Sequence, residues 1–292
     1  MAGMFSKVML GTVQFGKNYG VANTTGKPSY ETVREILRES FDNGVTALDT
    51  APEYGDSEEV IGRALRDLGL AGKFRIVTKI PRLPQEGDPE VFIRGSLQNS
   101  LARLGVEVID GALFHQESDG VRHLPLLEKM RAEGLIRFAG ISLNTEAFRD
   151  AGEEADCLQI PCNLLDHRFD RCFGKAGRHC FVRGAYLQGM LLMPEEGIFI
   201  PEIRERRRKL EALGMPMAEL SLRYLFGKPG PKSILTGVEN LAQLRENLRI
   251  SRMAPLAPEE VAEIDKIVFP PLDELLVSPW MWKKYKEIHH IS

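Results

Sequence analysis

The sequence predicts a single-domain (β/α)8 barrel, a TIM barrel that takes up the whole chain, residues 1–292. Short apolar segments typical of buried strands alternate with longer segments of helical periodicity, and eight such units follow one another. This alternation indicates a parallel sheet covered by helices, and barrels of this class run to ~250 residues. Since no linker or change in composition interrupts the pattern, we expect the barrel at about residues 7–269 and a C-terminal tail at 270–292.

The expected strands are short and mainly apolar. They lie at residues 8–10, 45–50, 74–80, 108–115, 136–142, 157–162, 180–183 and 233–237. The expected helices have apolar residues at three- and four-residue spacing. They lie at residues 30–43, 58–68, 89–104, 123–133, 145–154, 202–213, 218–226, 241–248 and 258–267. Ser29 and Ser57 are suited to cap the first two helices, because a serine hydroxyl can accept from a free backbone N–H group.

Chemically active residues stand at or just beyond the ends of three successive strands. Asp49 ends the second strand and Tyr54 follows in its loop, while Lys79 and His115 end the third and fourth strands. In a parallel barrel all carboxyl ends open onto one face, where the active site lies. The sequence therefore predicts that these four side chains converge, although they are distant along the chain.

Composition and charge indicate an ordinary soluble, cytoplasmic protein. The net charge is −3, so a general nucleic-acid surface is not expected, and the basic run at 204–209 reads as the solvated face of a helix. No apolar stretch approaches the ~20 residues of a membrane span, and the first residues do not resemble a signal peptide. We expect no membrane contact. The sequence leaves the oligomeric state open.

The four cysteines are expected to be reduced and mostly buried. Cys157, Cys162, Cys172 and Cys180 lie in one quarter of the chain, near His167 and His179. They contain no pair separated by two residues, and their spacing fits no zinc pattern. We therefore expect no metal site.

Several segments together resemble the aldo-keto reductase family. The resemblance runs from Leu10 to about Leu248, and two further pieces, 10–16 and 187–189, resemble a bacterial branch often associated with sugar metabolism. It implies hydride transfer between a nicotinamide dinucleotide and a small carbonyl compound, with a sugar among the candidates. The residues that carry the resemblance are Gly11, Thr12, Leu48 to Ala51, Tyr54, Gly55, Ser57, Glu58, Gly62, Thr78, Lys79, His115, Gly140 to Ser142, Gln159 and Gly237 to Asn247.

By matching position, Asp49, Tyr54, Lys79 and His115 are the expected catalytic residues. Tyr54 would give a proton to the alkoxide that develops during reduction. Lys79 would lower the pKa of Tyr54 by favouring its phenolate, and Asp49 would hold Lys79 by an ion pair. His115 would orient and polarise the carbonyl oxygen.

The resemblance also implies a site for NADP(H), with NAD(H) as the alternative. A helix that begins after the eighth strand suits a phosphate group. Many family members clamp a 2′-phosphate with Lys or Arg here, whereas this chain has Glu239 and no cation before Arg245. We therefore expect weak discrimination, with NADPH slightly favoured. The expected cofactor-binding residues are Gly11, Thr12, Asp49, Ser142, Gln159, Arg183, Gly184, Leu187, Gly237, Val238, Glu239, Gln243 and Asn247.

Two alternatives come from other functional classes. One is a non-catalytic, nucleotide-binding regulatory or partner subunit, because a fold alone does not fix a function. The other is a barrel lyase or isomerase that uses Lys79 as a Schiff base. For the tail, its tryptophans would either cover the mouth of the site or pack against an outer helix. Loop position suggests six substrate-pocket residues, Gln14, Phe15, Tyr19, Gln116, Met190 and Trp282.

Overall fold

Eight parallel strands close into a barrel in chain order, as the sequence predicts. The computed structural model describes residues 4–150, 154–175, 177–230 and 232–291. The strands are β1 (Val8–Gly11), β2 (Ala47–Asp49), β3 (Arg75–Ile80), β4 (Ile109–Phe114), β5 (Ile136–Ser142), β6 (Cys157–Pro161), β7 (His179–Arg183) and β8 (Lys232–Gly237).

Helices surround the barrel and extend beyond it. They are α1 (Val13–Gly16), α2 (Tyr30–Asp42), α3 (Ser57–Asp67), α4 (Pro89–Leu104), α5 (Glu117–Ala132), α6 (Pro201–Glu211), α7 (Met217–Gly227), α8 (Leu241–Ser251), α9 (Pro258–Val268), α10 (Glu274–Val277) and α11 (Trp282–His289). None of the helices in the described ranges is both long enough and apolar enough to cross a bilayer.

The pairing of β1 closes the barrel and sets the level of the site. Gly11 is in register with Asp49 of β2 on one side and with Gly237 of β8 on the other. Asp49 therefore ends its strand at the carboxyl face, between Gly11 of β1 and Val77 of β3. Apolar side chains between the strands and the outer helices form the main core beneath this face.

Most expected helices are present, and the differences have local causes. Ser29 caps α2, since its hydroxyl accepts from the Thr32 amide at 3.1 Å. The expectation for Ser57 is wrong, because it is the first residue of α3 and its hydroxyl donates to the Thr12 carbonyl. The helix expected from residue 123 begins at Glu117, where acidic residues favour a helix start.

The helix expected at 145–154 is wrong over its described part. Only a single 3₁₀ turn, Glu146–Phe148, forms there, and residues 151–153 lie outside the described ranges. The Glu117 carboxylate accepts from the amides of Asn144 and Thr145 at 2.6 and 3.0 Å. Those bonds hold the start of the segment as a loop.

The tail packs mainly on the insert that follows β7. Trp282 is buried and meets Phe199 edge to face at 5.5 Å, and its indole donates to the Leu276 carbonyl. Val277 and Tyr285 join the same apolar cluster as Ile203 of α6. This packing brings Pro279 and Trp280 to the mouth of the barrel.

Candidate active site

A cleft of about 830 Å³ opens at the carboxyl ends of the strands. It takes in nearly all of the residues that the sequence predicts for the site. Those that line it are Gly11, Thr12, Asp49, Tyr54, His115, Ser142, Gln159, Arg183, Gly184, Leu187, Gly237, Glu239, Gln243 and Asn247. Two expected residues have side chains that do not: Lys79 lies buried beneath the cleft, and Val238 is part of the main core.

The floor of the cleft is a buried polar chain. Lys79 Nζ donates to Asp49 Oδ1 at 2.7 Å and to the Thr50 carbonyl at 2.9 Å. Gln159 Nε2 donates to the same Asp49 oxygen at 2.7 Å, and Ser142 Oγ lies 3.4 Å from Gln159 Oε1. Each of these four buried side chains thus has a hydrogen-bond partner, as buried polar groups require.

Tyr54 stands directly over this ion pair. Lys79 Nζ lies 4.7 Å from the centre of the Tyr54 ring. Burial raises the pKa of Tyr54, and this effect outweighs the opposite influence of Lys79. The net direction differs from the sequence-based expectation of a lowered pKa, because sequence does not reveal the desolvation of the phenol. Tyr54 is therefore a neutral phenol at neutral pH.

The same arrangement keeps Lys79 charged. Burial alone would lower the pKa of Lys79, but Asp49 and Tyr54 together raise it. A cation fixed under a phenol can stabilise the phenolate that remains after the phenol gives up its proton.

His115 forms the wall beside Tyr54. The two rings meet nearly at right angles, at 82°, with their centres 6.1 Å apart. His115 Nδ1 is hydrogen-bonded to Glu53 Oε2. Burial and the Lys79 cation lower the pKa of His115, whereas Glu53 acts in the opposite sense.

Arg183 also lines the cleft. Its Nη2 donates to the Leu143 carbonyl at 2.8 Å and to the Asn144 side chain. These bonds hold the guanidinium plane in place, and burial lowers the pKa of Arg183. A fixed planar guanidinium can stack on a flat ring.

The far end of the cleft is formed by the start of α8. Asn240 caps the helix by accepting from the Gln243 amide at 3.0 Å. Gln243 Oε1 in turn accepts from the backbone amide of Glu239 at 2.7 Å, and Gln243 Nε2 donates to the Glu239 carboxylate at 2.6 Å. Asn247 accepts from the Tyr186 hydroxyl at 2.6 Å.

No cation faces this end among the described residues that line the cleft. Its two basic residues, Lys17 and Arg183, lie beside Tyr54. Arg245 forms a two-point ion pair with Glu39 of α2, at 2.7 and 2.8 Å. Arg204 donates to the Ile198 carbonyl. Arg245 and Arg204 are thus engaged by other groups.

Gln14 supplies an observation that favours a bound cofactor. It is 8% exposed, and its Oε1 has no hydrogen-bond partner within the described residues. A Cβ built on Gly237 would come within 2.4 Å of Gln14 Nε2, so the glycine makes room for this amide. An unpaired acceptor at the floor of a cleft suits a ligand hydroxyl, such as that of a ribose.

Sequence reasoning placed some pocket residues wrongly and missed others. Gln14 and Tyr19 line the cleft, whereas Phe15, Met190 and Trp282 are buried elsewhere and Gln116 precedes α5. Trp280, 57% exposed, lines the mouth in place of Trp282. Site residues that the sequence analysis did not single out include Lys17, Glu53, Asp166, Tyr186 and Gln188.

The cysteines and acidic residues form no further site in the described ranges. All four thiols are free and buried, and no group of three or more potential ligands is arranged to hold a metal ion.

A phenol over a buried ion pair, beside a long cleft at the carboxyl face of a parallel barrel, has the arrangement of an enzyme active site. Comparison with known proteins identifies the family. The aldo/keto reductase family model matches residues 7–179 and 200–268. The chain belongs to this family and is an NAD(P)(H)-dependent oxidoreductase of carbonyl compounds.

Individual relatives are distant. The chain is 26% identical to an uncharacterized oxidoreductase of Bacillus subtilis, YqkF, over 77% of its own length and 84% of that protein. It is 25% identical to the L-glyceraldehyde 3-phosphate reductase of Escherichia coli O157:H7, over 85% of its own length and 86% of that protein. The holo form of the aldo-keto reductase AKR11C1 from Bacillus halodurans has the same fold, with a TM-score of 0.76 and 21% identity. The match covers 95% of this chain and 98% of that one.

Proposed function

We propose that the cleft binds a nicotinamide dinucleotide along its length and that Tyr54 is the general acid for reduction of a small aldehyde or ketone. The observation that carries this proposal is the buried Lys79–Asp49 pair beneath Tyr54 at the open end of the barrel. When bound, the reduced nicotinamide supplies the hydride. The unpaired Gln14 acceptor and the polar groups at the start of α8 support the nucleotide's position.

In this mechanism each residue has a separate task. Tyr54 is neutral before the reaction and gives its hydroxyl proton to the oxygen on which charge develops. Lys79 then faces a phenolate and stabilises it electrostatically, while Asp49 fixes Lys79 from below. His115 contacts the substrate from the side and orients it. Gln159 holds Asp49, and Ser142 and Gln159, which both line the cleft, would bind the carboxamide of the nicotinamide.

The proposed cofactor is NADP(H), with NAD(H) accepted almost as well. Glu239 lies at the start of α8, and Arg245 is paired with Glu39. A 2′-phosphate would therefore meet a carboxylate rather than a charge-assisted donor. This supports weak discrimination between the two cofactors, with NADPH slightly favoured because the family mostly uses it.

The proposed substrate is a small carbonyl compound, with an aldose or modified sugar as the leading candidate. Polar side chains surround Tyr54, and among them Gln188 donates to the Tyr19 hydroxyl at 2.9 Å. The name of the Escherichia coli relative, a reductase of a three-carbon sugar phosphate, agrees with this class. Buried free thiols support the cytoplasm as the compartment.

A panel assay tests the proposal. Purified protein is given NADPH or NADH and a series of aldehydes, ketones and sugars, and the nicotinamide absorbance is followed. We expect turnover with at least one small carbonyl compound. Nucleotide binding without turnover across the panel would instead favour the regulatory subunit, and borohydride trapping of a substrate on Lys79 would favour the lyase.

A further inference from the structure

One arginine joins the C-terminal tail to two loops of the cleft. Arg168 lies in the loop after β6, and its side chain is only 5% exposed. Its Nε and Nη2 donate to the two oxygens of the Asp166 carboxylate, at 2.8 and 2.7 Å. Its Nη1 donates to the Asn144 carbonyl at 3.1 Å and to Glu274 Oε1. Since Asn144 and Asp166 both line the cleft, Arg168 is fixed beside the cleft wall.

Glu274 is the tail residue that meets this arginine, and it is the first residue of α10. Its Oε1 also accepts from the Glu146 amide, in the loop after β5, at 3.1 Å. Burial alone would lower the pKa of Arg168, but Asp166 and Glu274 together raise it. The Glu274 side chain is 27% exposed, so this ion pair has one partner inside the protein and one partly in water.

The segment that begins at Glu274 borders the cleft, and we call residues 274–281 the strap. Val277, Pro279 and Trp280 of the strap line the cleft. Val277 and the residue that follows the strap, Trp282, belong to the apolar cluster of the insert after β7. The strap is therefore fastened by charge at its first residue and by apolar burial from Val277 onwards.

The two fastenings differ in how easily they open. A partly exposed ion pair can be exchanged for hydration at little cost, whereas exposing a buried tryptophan loses the favourable burial of a large apolar surface. When Glu274 moves into water, Arg168 keeps both of its bonds to Asp166. No buried charge is then left without a partner, which is the costly outcome for an internal ion pair. The Glu274 end is therefore the end of the strap that opens most readily.

We propose that the Arg168–Glu274 ion pair is a latch that holds the strap beside the cleft, and that its release lets the nicotinamide dinucleotide enter and leave. The latch lies close to Arg183, since Asn144 accepts from both arginines. Opening the strap there widens the mouth and leaves the strands of the barrel in place. This inference rests on the proposed function for the identity of the ligand. Glu274 and Arg168 act in it as positioning residues for the strap.

The first test measures the exchange of NADPH by stopped-flow fluorescence. Glu274→Gln keeps the size of the side chain and an acceptor oxygen but removes the charge, and it leaves Arg168 with Asp166. We expect the association and dissociation rate constants both to rise about twofold to tenfold, the scale of one partly exposed charged contact. Because the latch is weakened in the free and the bound protein alike, Kd should change by less than about twofold.

Glu287→Gln in α11 is the matched control, because it removes the same charge from an exposed tail residue outside the cleft. It should leave both rate constants unchanged. At about 1 M salt, where the Debye length is only about 3 Å, the wild type and Glu274→Gln should converge. Equal rate constants in the two proteins at low salt would overturn the proposal. A rise in dissociation alone would also overturn it, since Glu274 would then stabilise only the bound complex.

A second readout needs no nucleotide. Hydrogen exchange of the free protein reports how often the strap opens, because the Leu276 and Met281 amides are bonded at 3.0 and 2.8 Å within this part of the tail. We expect peptides that span 273–281 to exchange faster in Glu274→Gln than in the wild type or Glu287→Gln. Unchanged exchange would refute the latch alone, whereas a protein that binds no NADPH would refute the proposed function.

Discussion

Lys79 Nζ lies 2.7 Å from Asp49 Oδ1 inside the barrel, where the two residues are only 1% and 3% exposed. A buried ion pair of this kind is weak evidence for stability, since removing both charges from water is costly. Its value here is positional. The pair holds a cation beneath Tyr54, where the proposed mechanism requires it to stabilise the phenolate.

Removing the cation should affect both activity and stability. Lys79→Met leaves the Asp49 carboxylate buried, with Gln159 as its remaining side-chain partner among the described residues. We expect turnover to fall and the free energy of unfolding to drop by about 3–5 kcal/mol, the usual cost of breaking a buried pair. Chemical denaturation and steady-state rates measure the two effects.

The control for this variant is Lys73→Met, which changes an exposed lysine just before β3. It should leave the unfolding midpoint nearly unchanged. If Lys79→Met kept wild-type activity and the wild-type melting temperature, the role given to the ion pair would be wrong.

Cofactor preference should respond to Glu239. Glu239→Lys replaces a carboxylate at the start of α8 with a cation that can meet a 2′-phosphate, and it also frees Gln243. We expect a shift towards NADPH of about 1–2 kcal/mol, the scale of one charge-assisted bond. The measurement is the ratio of kcat/KM with NADPH and NADH at low and high salt.

Glu259→Lys on α9 is the matched control, because it makes the same charge change at an exposed position outside the cleft. A wild-type enzyme that favours NADPH several hundredfold would contradict the account, since it would require a cationic partner for the phosphate.

The two tryptophans should report nucleotide binding differently. Trp280 is 57% exposed at the mouth of the cleft, whereas Trp282 is 4% exposed against Phe199. Tryptophan emission should change when NADPH is added, and Trp280→Phe should lose most of the fractional change. Trp282→Phe should keep it. The reverse result would mean that the tail does not border the bound nucleotide.

The sequence was sufficient for the barrel and for the convergence of the reactive side chains. Strand order follows from the repeated alternation, and the carboxyl ends of parallel strands share one face. Asp49, Lys79 and His115 stand at or just after strand ends, so the topology alone brings them together. Tyr54 joins them at this face because it lies only a few residues beyond Asp49 in the loop after β2.

Contacts between loops could not be predicted in the same way. Glu53 meets His115 through two loops whose side chains no strand register fixes. Trp280 and Trp282 are two residues apart, and only the 3₁₀ turn Pro279–Met281 decides which one faces the cleft. The direction of the Tyr54 pKa shift could not be predicted either. The sequence reveals Lys79, which lowers this pKa, but not the burial that raises it more strongly.

The most direct test of the account is the turnover of Tyr54→Phe beside its nucleotide affinity. Losing the hydroxyl removes the proposed proton donor and leaves the α8 end of the cleft intact. We predict a fall in kcat of about 10²–10⁴ with nearly unchanged NADPH affinity, the range typical of a general acid. Tyr30→Phe, whose hydroxyl binds Asp67 on the outer surface, should keep wild-type kcat. Near-wild-type turnover by Tyr54→Phe would contradict the assignment of Tyr54 as the acid.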